Sequence, residues 1–112
     1  MMWWHEGLIG QFLAALSTLD QTIGRCPDAE WHEPHRDYPF SQVVFHTLFF
    51  TDYYLERSAE SFRAQVFHRT HPDLFQDYEE LEPRLPRNTY DRVACSEYLQ
   101  FCMNKVSTVI PA

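Results

Sequence analysis

The chain has 112 residues, a length that fits one domain, and a globule of this size buries roughly 65% of the surface its unfolded chain exposes. Hydrophobic residues make up 45% and aromatics 16%, which excludes a disordered polar chain, while the net charge of −7 with no Lys/Arg block excludes a phosphate-binding surface. We therefore expect no nucleic-acid partner. No apolar run reaches the ~20 residues of a membrane span, and MMWWHEGLIGQ lacks the basic residues and cleavage site of a secretory signal. The expectation is a cytoplasmic domain with no membrane partner. Cys26, Cys95 and Cys102 have no CxxC spacing and read as reduced, buried small hydrophobes.

In chain order, Ile9, Phe12, Leu13, Leu16, Leu19 and Ile23 step by three and four residues, predicting a first helix over about 3–24 that Gly24 and Pro27 stop. Residues 25–40 carry three prolines and no period, so they form a connection. Ser41 is a candidate N-cap for a second helix over 41–61. Its core, SQVVFHTLFFTDYYL, has apolar side chains around nearly the whole circumference, so it needs cover on more than one side and places His46 at depth. Residues 62–90 read as a long crossover, because Pro72, Pro83 and Pro86 forbid one continuous helix, although DLFQDYEELE can form a short one. Asp91 then N-caps a third helix over 91–109, with Ala94, Tyr98, Phe101, Cys102, Lys105 and Val109 at helical spacing. Three long helices leave the apolar second helix short of cover. The crossover, a second copy of the chain, or sequence outside this chain would supply it.

FHTLFFTDYYL, the lead-in DYPFSQVV and the later DRVACSEYLQFC resemble the DinB-like family, whose members are four-helix bundles running up-down-down-up. The resemblance covers essentially the entire chain, residues 1–112, as the N-terminal two-thirds of such a domain. It implies a divalent metal, nickel, zinc or iron, held by one histidine of the second helix and a His-x-x-x-His pair of the last. His46 matches the first position, and the pair has no counterpart here. Asp52, Tyr53 and Tyr54 also match the family's pattern. On this reading the chain is a truncated domain with an incomplete metal site.

The remaining candidates have simpler explanations. His32/His35 and His68/His71 are formally His-x-x-His pairs, but Pro34 and Pro72 interrupt helical geometry, so solvated loop histidines are expected. His5 beside Trp3 and Trp4 reads as aromatic packing. Asp52 and Glu56 are spaced to pair carboxylates for acid–base work, yet with Glu60 they read as a solvated stripe. Tyr53 lies seven residues after His46, on the same face. No Ser, Thr or Cys has an adjacent base to activate it.

Two functions follow. One is a metal-dependent hydrolase or thiol/group transferase acting on a small molecule, whose metal site borrows ligands from elsewhere. The other is a non-catalytic helical module that keeps the bundle packing and pairs with a second copy as a homodimer through its second helix.

Overall fold

The computed structural model describes residues 3–33, 39–82 and 89–109, the side chains of residues 3–6, 76, 77 and 79 excepted. His35, Pro34, Pro83, Pro86 and the side chains of Trp3, Trp4 and His5 lie outside this description. The described residues form an all-α bundle of six helices without strands: α1 (Trp3–Arg25), α2 (Asp28–Trp31), α3 (Phe40–Tyr54), α4 (Ala59–Ala64), α5 (Val66–Thr70) and α6 (Arg92–Val109). A 3₁₀ turn spans Gln76–Leu81. No helix among them is long and apolar enough to cross a membrane.

Long helices α1 and α3 both pack against α6. The predicted stripe of α1 faces inward, with Leu16 and Ile23 buried and Ile9, Phe12, Leu13 and Leu19 partly buried against the core. Arg92, at the start of α6, closes the end of α1. Its guanidinium donates to the carbonyls of Ile23 and, at 2.8 Å, Cys26, so it satisfies acceptors that a helix C-terminus leaves open. The same group lies over the Trp31 ring and meets Asp28, while Trp31 Nε1 donates to the Tyr90 carbonyl at 2.8 Å. One arginine thus joins the ends of α1 and α2 to the start of α6.

The second helix differs from its predicted bounds. Its N-cap is Pro39, not Ser41, and Ser41 is buried within the first turn with its hydroxyl 3.1 Å from His32 Nδ1. The helix ends at Tyr54 and not near 61, because Ser58 starts a new one: its hydroxyl accepts the Ser61 N–H at 3.0 Å. Asp91 does serve α6 as predicted, its carboxylate accepting the Ala94 N–H at 3.3 Å. Cys95 and Cys102 are free and fully buried, and burial pushes the Cys95 thiol up to about 12.

The crossover supplies cover for the buried side of α3. Phe62 of α4 is fully buried and meets Phe49 edge-on at 5.1 Å, and Phe67 of α5 stacks on Tyr98 and Phe101 of α6. From the segment just before α6, Tyr90 stacks on Phe45 at 4.0 Å. Short helices are weak on their own, so these aromatic contacts hold the crossover in place. Phe62→Ala is expected to cost about 3–5 kcal/mol in chemical denaturation. A loss below ~1 kcal/mol would mean that α4 does not cover α3.

Candidate functional site: a buried Asp52 network

Helix α3 turns Phe45, Leu48, Phe49 and Asp52 toward the core at steps of three and four, so a carboxylate enters the apolar interior at the last turn. Asp52 is fully buried and is therefore not part of a solvated stripe. An unpaired carboxylate there would be prohibitively costly. Helices α5 and α6 answer it. His68 Nε2 lies 2.8 Å and the Tyr98 hydroxyl 2.6 Å from Oδ2, while Lys105 Nζ lies 2.5 Å and Gln65 Nε2 3.1 Å from Oδ1. Four donors fill the roughly four lone-pair positions that a carboxylate presents.

The surrounding groups complete the network. Lys105 Nζ also donates to Gln65 Oε1 at 2.7 Å and pairs with Glu56 Oε1 at 2.5 Å. Glu56 in turn accepts from the Ser61 hydroxyl at 2.7 Å. With Nε2–H committed to Asp52, His68 accepts at Nδ1 from the Tyr78 hydroxyl at 3.0 Å. Tyr78 has φ of 48°, a left-handed conformation that costs a non-glycine residue about 1–2 kcal/mol. The His68 bond and the Arg63 guanidinium 4.5 Å over its ring hold it there.

Electrostatics follow from this geometry. Burial alone would raise the Asp52 carboxyl, but the bonds from His68, Lys105 and Tyr98 outweigh it and hold the group below its ordinary 3.8. Burial likewise opposes, and the Lys105 and Ser61 bonds reverse, the shift of Glu56, which also lies below its ordinary value. Burial and the nearby Asp52 charge drive the Tyr98 phenol well upward. Burial also raises Tyr78, so neither tyrosine is activated for proton loss.

His46 lies elsewhere and is not at depth: its side chain is 57% exposed. Its Nδ1 is 2.7 Å from Glu80 Oε2, on a carboxylate that is itself 5% exposed and also accepts from the Gln42 amide. Tyr53 packs edge-on against Phe62 at 5.1 Å and against Phe50, whose ring in turn meets that of His46 at 4.8 Å. His71 is no solvated loop residue either, with Nδ1 2.9 Å from the Phe67 carbonyl and Nε2 3.0 Å from Glu97. Buried His68 departs most from the sequence expectation of a solvated loop histidine, since it lies in the core and joins Asp52.

A divalent metal needs several converging donors. Among the described residues no group of three or more His, Cys, Asp and Glu side chains is placed to hold one. His46 and Glu80 by themselves do not make such a set. The chain matches no family model, no curated protein and no solved structure.

Removing one member of a buried charge pair exposes the other to desolvation, so Lys105→Met is expected to destabilise the fold by about 3–5 kcal/mol in denaturant titration. Asp52 and Glu56 have lowered folded-state pKa values, so their stabilisation is complete above the ordinary values of 3.8 and 4.5 and is lost as pH falls through the lower folded values. Unfolding free energy should therefore fall through acid pH, with a shallower fall in Asp52→Asn. An identical acid dependence in that variant would remove Asp52 from the account.

Proposed function

We propose that this chain is a DinB-like helical domain that works as a non-catalytic packing module. The saturation of Asp52 carries this reading: the carboxylate best placed for acid–base chemistry has every acceptor position filled from inside the fold. A general base must reach a substrate proton directly or through one water. Asp52 is buried, and among the described residues its carboxylate reaches four internal donors. The DinB-like build is supported by the residue pattern FHTLFFTDYYL on α3 and by three long helices with a long link between the second and third.

A second reading, a metal-dependent hydrolase or group transferase, is favoured by one observation at His46. Its Nδ1 faces the Glu80 carboxylate, an arrangement that fixes an imidazole with its other nitrogen available as a ligand. The missing donors would come from outside the described residues or from another chain.

Elemental analysis and thermal unfolding with and without Ni²⁺, Zn²⁺ or Fe²⁺ separate the two. The module reading expects substoichiometric metal and a melting temperature that these ions leave unchanged. A stoichiometric metal that His46→Ala abolishes would overturn it in favour of the metalloenzyme.

A further inference from the structure

We infer that the joint between α5 and α6 is a pH-sensitive latch, closed by a doubly protonated His71 and opened as pH rises. His71 stands at the end of α5, with Nδ1 2.9 Å from the Phe67 carbonyl and 3.1 Å from the Thr70 hydroxyl, and Nε2 3.0 Å from the Glu97 carboxylate of α6. The Thr70 hydroxyl spends its proton on the Val66 carbonyl at 2.9 Å or the Phe67 carbonyl at 3.2 Å, so toward the ring it can only accept. Both ring nitrogens therefore face acceptors.

A neutral imidazole carries one N–H and one lone pair, so it serves only one of these two sides. Turning the ring over does not help, because carbon then stands at both positions. Only the imidazolium, with two N–H groups, makes both contacts at once. Its surroundings suit a cation: the ring stacks on Phe67 at 4.0 Å, and the charged residues that line the adjacent cavity with it, Asp73 after α5 and Asp91 before α6, are acidic, as Glu97 is.

That cavity, of about 280 Å³, is what the latch controls. Residues 70–74 form one wall, and Asp91 and Ala94 at the head of α6 belong to the other. Glu97 lies three residues beyond Ala94, nearly one helical turn, so its contact with His71 ties the two walls together. When His71 loses its second proton, a lone pair confronts an acceptor and one contact must break. Glu97 is the side that yields, because its side chain is 54% exposed and water can solvate it, whereas the Phe67 carbonyl is fixed within α5. The walls then part. Stabilisation from the latch is present at low pH and lost as pH rises, opposite in sign to that of Asp52 and Glu56.

The test follows the full chain by NMR between about pH 5 and 8, reading the protonation of the two His71 ring nitrogens and the hydrogen exchange of the Leu74 and Phe75 amides, corrected for intrinsic exchange. Those amides bond to the His71 and Pro72 carbonyls and so report on the wall. In the wild type, loss of the Nε2 proton should lower their protection by about two- to fivefold, the range an exposed ion pair supports. In Glu97→Gln the side-chain amide can donate to a neutral Nε2, so the contact survives and the pH dependence should disappear. Glu97→Ala should give the low protection at every pH. Equal pH dependence in the wild type and Glu97→Gln, or an unprotonated Nε2 with Glu97 still against it, would overturn the inference.

Discussion

Everything in this fold converges on a carboxylate in the wrong solvent. Asp52 enters the core because α3 continues its inward register for one more turn, and the cost of burying that charge is met by donors from three other places in the chain. Gln65 leads into α5, His68 stands on it, and Tyr98 and Lys105 stand on α6. A long crossover of short helices has little cohesion of its own, so this hydrogen-bonded hub and the aromatic contacts of Phe62 and Phe67 are what give it one position. Buried polar networks of this type specify an arrangement more than they add stability, since apolar packing does the latter as well.

Helix α3 has two faces that its sequence makes look alike. One holds Val44, Phe45, Leu48 and Phe49 in the core, and the other presents Val43, Thr47, Phe50 and Tyr54 outward. Composition does not separate them, because threonine and tyrosine on the outer face are only weakly polar once their neighbours are apolar. The crossover covers the inner face with the short helices α4 and α5, and among the described residues no continuous fourth helix does so.

Several of these features were legible in the sequence. The three long helices were, because each repeats apolar residues at helical spacing, and so was the Asp91 cap. Two signals for the hub were also present: Asp52 follows Phe45, Leu48 and Phe49 in the core register, and Lys105 follows Tyr98, Phe101 and Cys102 in the buried register of α6. A cation and an anion on two buried stripes imply each other. His68 was not legible, since its partner is 16 residues away across a helix break that only Ser58 announces. Nor was the position of His46, because a helix apolar all round gives no sign of which side the core takes. The Glu80 contact depends on how the 3₁₀ turn returns to α3, a tertiary matter that periodicity does not encode.

The proposed reading makes Asp52 an ionised structural anchor whose internal donors hold its carboxyl below the ordinary aspartate value. A pH titration of its side-chain carboxyl carbon by NMR addresses this directly. The account predicts no proton uptake from neutral pH down past the ordinary aspartate value of 3.8, with any change arriving only together with loss of the fold. A carboxyl that titrates between pH 5 and 8 while the fold persists would show an acid–base group open to exchange, and would contradict it.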